Sequence, residues 1–499
     1  MELFQNLQLG MSVVLSLDNL TYCFVGVLLG TVVGVLPGVG PVVTIALLLP
    51  MTFGLPAVTA IIMLAGIYYG AQYGGSTTAI LMKLPGEPSS VVTAIDGHAM
   101  ARRGEAGIAL GIAAIGSFIA GTIAAAFMAL FSPSLARFAL EFGPADNFSL
   151  MAFGLVGAVV LARGSPLKAI AMVMAGLTFG LVGTDVSSHD ERLTFGLSDL
   201  ADGISFVVLS MGLVGVSEII SNLERPESER RIAGKIGRIW PDLASFKASY
   251  KPILRGTAIG SLFGVLPGAG TSLASFTSYT VEKKLARDPS RFGQGAIEGV
   301  AGPEAANNAA AQTSFVPLLT LGLPSGATTA LLLGALTIQG IVPGPQIMTD
   351  KPDLFWGVIA SMWIGNVMLV ILNLPLIGVW VRMMQMPYRL LYPAILLFCA
   401  IGVYSVGSSP FDVLLTALFG ILGYAFIKLE CDPAPLLLGF ILGPIMEENF
   451  RRALVITQGD FHVFVSRPIS ATLLAVSAIL LITLFVPAIL RGREVAFQE

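Results

Sequence analysis

Gly30-Thr-Val-Val-Gly-Val-Leu-Pro-Gly-Val-Gly40 returns later in the chain as Gly260-Ser-Leu-Phe-Gly-Val-Leu-Pro-Gly-Ala-Gly270, with the core Gly-Val-Leu-Pro-Gly-x-Gly identical in both copies. Each copy sets a proline and several glycines inside apolar sequence of membrane-spanning length. Proline removes a backbone donor and glycine relaxes φ, so a helix breaks there. Unpaired backbone at membrane depth is tolerated only where it lines a cavity or is enclosed by protein. Paired breaks at matching places mark a binding site, with Gly38, Gly40, Gly268 and Gly270 as its candidate residues. For a single copy, close helix packing through small residues would be explanation enough. Two copies favour a site.

A second pair of matches lies downstream. Gly86, Pro88, Ser89, Thr93 and Ala94 align without gaps on Gly322, Pro324, Ser325, Thr329 and Ala330. Two matches in the same order make an internal repeat. Around them stand Gly74-Gly-Ser-Thr-Thr78 with Pro85-Gly-Glu-Pro-Ser-Ser90, and Ala310-Ala-Gln-Thr-Ser314 with Gly322-Leu-Pro-Ser-Gly-Ala-Thr-Thr329. Each reads as two short apolar arms around a polar turn. Arms of about ten residues cannot span singly, which predicts re-entrant hairpins near residues 66–95 and 302–332. Their tips expose amides and hydroxyls at helix N-termini, where a carboxylate is favoured. Carbonyls and hydroxyls on the opposite side suit Na⁺, a possible coupling ion. The candidates are Ser76, Thr77, Thr78, Lys83, Pro88 and Ser89 in the first unit, and Thr313, Ser314, Pro324, Ser325, Thr328 and Thr329 in the second. Helix capping by Ser and Thr is the plainer alternative. Ahead of the second turn, Glu304 and Asn308 lie four apart and share a helical face, while Glu298 reads as solvated charge. Asn307 and Asn308 join the candidates, because polar groups within lipid are expensive and default to function.

Composition sets the class. The 499 residues are 55% hydrophobic and only 12% charged, with a mean hydropathy of +0.82. Ordinary soluble domains are about 25% charged, so a water-soluble protein is excluded. Long apolar stretches recur at Leu20–Leu36, Val42–Leu64, Ile108–Phe131, Ile204–Ile220, Leu354–Leu376 and Leu473–Leu490. The expected fold is an all-α polytopic membrane protein with about ten to twelve transmembrane helices. A formal charge of −3 and scattered bases leave nucleic acid no footprint. Cys23, Cys399 and Cys431 are far apart without ligand spacing and read as buried small hydrophobes. No cofactor is expected, and no metal beyond the possible Na⁺. No Lys or Arg precedes Lys83, so the first span reads as retained rather than as a cleaved signal peptide.

The connectors give orientation. The stretch from Asn222 to Arg255 is strongly basic and is placed in the cytoplasm, whereas Asp185–Asp202 is acidic and is placed in the periplasm. Phe53–Ala60 is uncharged while its counterpart Lys283–Arg291 is basic. Asp96–Glu105 carries Arg102 and Arg103, while its counterpart Gly340–Asp350 has no base. Corresponding loops thus face opposite sides, which predicts two inverted-topology repeats with broken helices and re-entrant hairpins. Residues 1–221 form the first inverted repeat with connecting helices, 222–255 a cytoplasmic linker, and 256–499 the second inverted repeat with C-terminal helices.

Together with the two Leu-Pro-Gly-x-Gly motifs, Gly70-Ala-Gln-Tyr-Gly-Gly-Ser76, Pro88-Ser-Ser-Val-Val-Thr93 with Asp96-Gly97, Pro303-Glu-Ala-Ala-Asn-Asn308 and Pro317-Leu-Leu-Thr-Leu-Gly322 carry a resemblance. The chain resembles the large membrane (permease) subunit of the tripartite tricarboxylate transporter family over nearly its full length. The resemblance implies ion-coupled uptake (Na⁺ or H⁺) of a di- or tricarboxylate-like anion across a bacterial inner membrane. It also implies two partners, a periplasmic solute-binding protein that delivers the anion and a small membrane subunit. Lys83, His98-Ala99, Gln312-Thr313 and Ser325-Gly326 depart from the family's usual residues. An anion channel or a stand-alone exchanger is the alternative, since re-entrant hairpins also build selectivity filters. An intramembrane enzyme is not expected, because His98, His189 and His462 fall in or near connectors and no His-Glu-x-x-His motif occurs. Lys83 either binds substrate, pairs with Glu87, or snorkels to the interface near Asp96 and Arg102.

Overall fold

The computed structural model describes residues 2–36, 40–83, 87, 89–162, 165–185, 188–224, 236–266, 270–384 and 388–484. Of the candidate site residues, Gly38, Pro88 and Gly268 lie outside the described residues. Helices dominate. The strand pairing among the described residues is Gly183–Thr184 against Glu191–Arg192. Five helices among them are long and apolar enough to cross a membrane: Leu17–Gly34, Ala106–Ala139, Phe206–Leu223, Pro352–Asn373 and Pro410–Lys428. This is an all-α polytopic membrane protein.

Four of these fall on stretches expected from hydropathy. The stretch Leu473–Leu490 begins inside the helix Pro468–Leu484 and ends outside the described residues. Val42–Leu64 is not one span. A helix over Pro41–Leu48 passes into a 3-10 turn at Leu49–Thr52, and a new helix starts at Ala57. Pro50 sits in that turn, Gly54 takes a φ of 87° and Pro56 caps the next helix, so the backbone reverses although hydropathy does not fall.

The helices that build the centre are α1 (Leu17–Gly34), α2 (Pro41–Leu48), α3 (Ala57–Met82), α4 (Ser90–Arg102) and α5 (Ala106–Ala139), followed by α6 (Leu243–Val265), α7 (Gly270–Leu285), α8 (Glu298–Thr313), α9 (Phe315–Leu321), α10 (Ala327–Ile338) and α11 (Pro352–Asn373). Residues 243–255, within the stretch read as a linker, are the first part of α6. The Leu-Pro-Gly-x-Gly motifs fall between α1 and α2 and between α6 and α7.

Two helix pairs use one packing device. A Cβ added at Gly26, Gly30 or Gly34 of α1 would lie 2.2, 2.3 or 2.6 Å from the carbonyl oxygens of Met63, Ile67 and Ala71 on α3. One added at Gly256, Gly260 or Gly264 of α6 would lie 2.2, 2.2 or 2.5 Å from those of Gly302, Ala306 and Ala310 on α8. Small residues four apart let backbones approach closely, the contact lipid-embedded helices favour. In both pairs the contacts advance together, so α1 runs parallel to α3, and α6 to α8.

The first expected hairpin has a different shape from two short arms. α3 is a single helix of 26 residues, about 39 Å at 1.5 Å per residue, long enough to cross the ~30 Å hydrocarbon core. Gly70 and Gly74, which resemble breakers in sequence, instead receive the backbone of α1 at 2.5 and 2.7 Å from an added Cβ. Every residue from Thr59 to Met82 is buried, so the polar run near Gln72 and Ser76 faces protein rather than lipid. Ser76 and Thr93 reach the same carboxylate, and Gly97 packs against Ile80, so α4 advances in the same direction as α3. Glu87 meets Asn307, Thr93 meets Glu304, and Gly299 packs on Asp96, so α4 runs antiparallel to α8. α4, 13 residues long, is therefore a separate short helix laid alongside α3. In the second half, α8 and α9 together take the place of α3. Gly322 closes α9 in the left-handed conformation at φ 67°, as Lys83 closes α3 at φ 58°. Lys83 and Gly322 thus hold corresponding left-handed caps, while Gly86 lies outside the described residues.

Candidate functional site

Enclosure of α3 and α8 forces their polar side chains onto one another. Glu304 on α8 accepts from the Ser76 hydroxyl at 2.6 Å through Oε2 and from the Thr93 hydroxyl at 2.5 Å through Oε1. One turn further, the Asn308 amide donates to Ser117 Oγ at 2.7 Å and to the Glu304 carbonyl at 3.1 Å. The Asn307 amide donates to Glu87 Oε1 at 2.8 Å. Four helices, α3, α4, α5 and α8, thus meet around Glu304.

Glu87 is 5% and Glu304 1% exposed. Among the described residues no Lys, Arg or His pairs with either, although most other buried acids, such as Asp146 with Arg467 and Glu282 with Arg255, do have a basic partner. An ionised carboxylate removed from water without a counter-charge is costly, so such a group keeps its proton or holds a cation.

Beside Glu304 lies a cavity of about 20 Å³, whose polar lining is Tyr73, Ser76, Thr77, Ser117, Glu304 and Asn373. One water-sized sphere needs about 10–15 Å³ on this measure, so a single water or small cation fits. Asn373 Oδ1 and the Tyr73 hydroxyl have no hydrogen-bond partner among the described residues. The donors are carboxylate, hydroxyl and amide oxygens, which suit a hard cation. Glu304 is the one carboxylate in the cavity lining. Further along α8, Gln312 Nε2 donates to Asn366 Oδ1 at 3.1 Å, while Gln312 Oε1, Asn366 Nδ2 and Asn307 Oδ1 have no partner among the described residues. Both amides press on Gly121, where an added Cβ would lie 2.5 Å from Gln312 Nε2.

The expected site residues separate into groups. Ser76, Thr77, Asn307 and Asn308 join the polar centre, and Ser89 is buried at the start of α4. Thr78, Thr313 and Ser314 turn their hydroxyls to carbonyls of their own helices. Thr329 caps α10, accepting from the Gly326 amide at 3.0 Å, with Ser325 3.5 Å away. Thr328 is half-buried beside it and Pro324 is buried. Gly40 precedes α2, and an added Cβ on Gly270 would lie 3.5 Å from the Ser325 carbonyl, which brings the second Leu-Pro-Gly-x-Gly motif up to the second polar turn. Lys83 is exposed and takes no part in the centre, and Glu87 bonds Asn307. Glu304, Thr93, Ser117, Asn366 and Asn373 are additions. The four-residue spacing of Glu304 and Asn308 was a readable signal, whereas Asn366 and Asn373 stand isolated in apolar sequence.

A polytopic helical protein with two internally similar helix sets around an enclosed, cation-compatible polar centre belongs by its architecture with the membrane transporters. The particular family follows from comparison. Residues 20–438 match the Tripartite tricarboxylate transporter TctA family, and the chain belongs to that family. It is 55% identical over 500 residues, covering 100% of this chain and 99% of the relative, to an uncharacterized 52.8 kDa protein in the TAR-I ttuC' 3' region of Agrobacterium vitis. It is 59% identical over 240 residues, 48% of this chain and 99% of the relative, to an uncharacterized protein in the TAR-II ttuC' 3' region of the same organism. No solved structure matches the chain.

Proposed function

We propose that this chain is the permease of a tripartite system that imports a di- or tricarboxylate-like anion across a bacterial inner membrane together with Na⁺. A periplasmic solute-binding protein delivers the anion and a small membrane subunit completes the complex. The observation that carries this reading is Glu304, a buried carboxylate without a basic partner among the described residues, beside a cavity the size of one ion whose wall is part oxygen-bearing and part apolar. Na⁺ in that cavity neutralises Glu304 and ties α3, α4, α5 and α8 through Ser76, Thr93 and Ser117. The anion binds nearby, at the helix N-termini that follow the broken segments, where Gly270 approaches Ser325 and α10 begins. Neutralising Glu304 first removes a repulsion that the incoming carboxylate would meet, so the two bind together and cross together. The two glycine ladders and the opposite charge of corresponding loops support two halves of inverted orientation that alternate access to this centre. Glu87 bonds Asn307 through its side chain and Ser90 through its backbone, and it has no basic partner among the described residues, which favours H⁺ as a second coupling ion.

Reconstitution tests the reading. The chain with its small subunit and binding protein accumulates labelled carboxylate only under an inward Na⁺ or H⁺ gradient, and the chain alone transports poorly. Uptake linear in concentration and indifferent to both gradients would make it a channel.

A further inference from the structure

A second cavity, of about 300 Å³, opens at the end of α3 and is lined by Lys83, His98 and Arg102, with walls of Val91 and Ile95 and the backbone of Gly293. We propose that this cavity binds a small anion carrying several oxygens, the transported carboxylate at the basic-face end of its path. The proposal deepens the transport reading and rests on it for the identity of the occupant, while the cavity's affinity for anions stands on its own geometry.

Sequence places the bases together. Val91, Ile95, His98 and Arg102 recur at three- and four-residue intervals and so share one face of α4. Lys83 joins them from the end of α3. His98 Nδ1 lies 3.1 Å from the Ile80 carbonyl, so this nitrogen carries the proton and Nε2 is the ring's free nitrogen. Lys83 and Arg102, the two cations at this cavity, repel each other, and their surface exposure screens that repulsion only in part.

Among the described residues no acid offsets them. Asp96, the one carboxylate on α4, is fully buried and turned to the loop before α8. Its Oδ1 accepts from the amides of Gly293, Gly295 and Ala296 at 2.8, 2.7 and 2.8 Å, and its Oδ2 from the Tyr279 hydroxyl at 2.9 Å. Glu105 pairs with Arg103, Glu298 with Arg291, and Glu87 bonds Asn307. Among the described residues no carboxylate lies within ion-pair reach of Lys83, His98 or Arg102.

The backbone adds an independent observation. Lys83 closes α3 at φ 58°, ψ 24°, the left-handed cap that α9 fills with Gly322. Glycine takes this conformation freely, and a residue with a Cβ is strained in it. A long basic side chain at the less favourable place points to a use for the charge. Thr93, next to the cavity-lining Ala94 on α4, holds Glu304, so a single short helix separates the anion cavity from the coupling carboxylate.

Two sources offer this chemistry, a soluble carboxylate and the phosphate of an anionic lipid, and the test separates them. The full chain in nanodiscs of phosphatidylcholine is titrated with citrate as a multivalent probe, without Na⁺, and the titration is repeated with phosphatidylglycerol present. Lys83→Gln and Arg102→Gln each weaken citrate binding at least tenfold, while Arg291→Gln, outside the cavity, leaves it unchanged. Equal binding in both lipids assigns the cavity to the soluble carboxylate; loss in phosphatidylglycerol alone assigns it to the headgroup and overturns the transported-anion part. Citrate binding unchanged in both cavity variants, each eluting as wild type in gel filtration, overturns the anion site itself. Two readouts keep the readings apart: citrate affinity measured without Na⁺ reports the cavity alone, whereas Na⁺-driven uptake reports the transport reading.

Discussion

Replacing Gly30 or Gly260 with alanine tests whether the two glycine ladders hold the polar centre in place. The added methyl would sit 2.3 Å from the Ile67 carbonyl oxygen in the first pair and 2.2 Å from that of Ala306 in the second. Both obstacles are backbone, so no rotamer change relieves them and the helices must part. A gap of ~0.5–1 Å forfeits a quarter to a half of the contact attraction along the seam, and overpacking of this kind costs about 1–3 kcal/mol. Against this, alanine is worth up to about 1 kcal/mol over glycine in a helix interior. The packing term wins because three rungs share each seam and one methyl strains the rungs on both sides. Gly378, in the helix Ile377–Met384, has nothing within 4 Å of an added Cβ, and Gly378→Ala isolates the propensity gain. Thermal unfolding of the purified protein should show Gly30→Ala and Gly260→Ala melting below wild type, with Gly378→Ala at or above it. Because α3 carries Ser76 and α8 carries Glu304, both ladder variants should also need more Na⁺ for half-maximal uptake. Ladder variants as stable as Gly378→Ala, with unchanged Na⁺ dependence, would refute the argument.

Asp96→Ala leaves three backbone amides and the Tyr279 hydroxyl without their acceptor, and at about 1–3 kcal/mol for each buried unsatisfied group the protein should melt well below wild type, a loss Asp96→Glu does not fully restore. Asn307→Leu strips Glu87 of its amide donor and should cost about 3 kcal/mol in stability and most of the uptake, read by melting and by transport at equal membrane abundance. Asn373→Ala removes an unpartnered oxygen from the cavity beside Glu304 and should raise the half-saturating Na⁺ several-fold with little change in melting temperature. Gly270→Ala forces a Cβ into φ 60° at about 1–2 kcal/mol and should lower carboxylate affinity without moving the Na⁺ half-saturation.

The class of fold was legible because hydropathy reports burial in lipid directly, and four of the five helices long and apolar enough to cross fall where it placed them. The errors arise where one residue type serves two purposes. Gly74 suggested a turn, yet it admits the backbone of α1, as Gly70 does, and leaves α3 unbroken. Pro50 and Gly54 divide an apolar stretch that hydropathy joined. In the centre, Asn307, Asn308 and Ser76 stood out as polar residues in apolar surroundings, and Glu304 shared a face with Asn308. Which hydroxyls serve the centre was not legible, since Thr78 and Ser76 look alike in sequence and differ only in helical phase toward α8. Asn366 and Asn373 come from a helix with no motif, and only tertiary packing brings them in.

The central claim is that Na⁺ coupling runs through Glu304. Glu304 accepts from two hydroxyls, whereas glutamine offers one acceptor oxygen and no charge, so Glu304→Gln keeps the volume and removes the cation's counter-charge. Its most direct test is labelled carboxylate uptake into proteoliposomes holding the complete transporter, with and without an imposed Na⁺ gradient, for wild type and Glu304→Gln. The account predicts concentrative uptake driven by the gradient in wild type, and in the variant only equilibration that no Na⁺ gradient accelerates. Gradient-driven accumulation in Glu304→Gln with the wild-type Na⁺ dependence would contradict it.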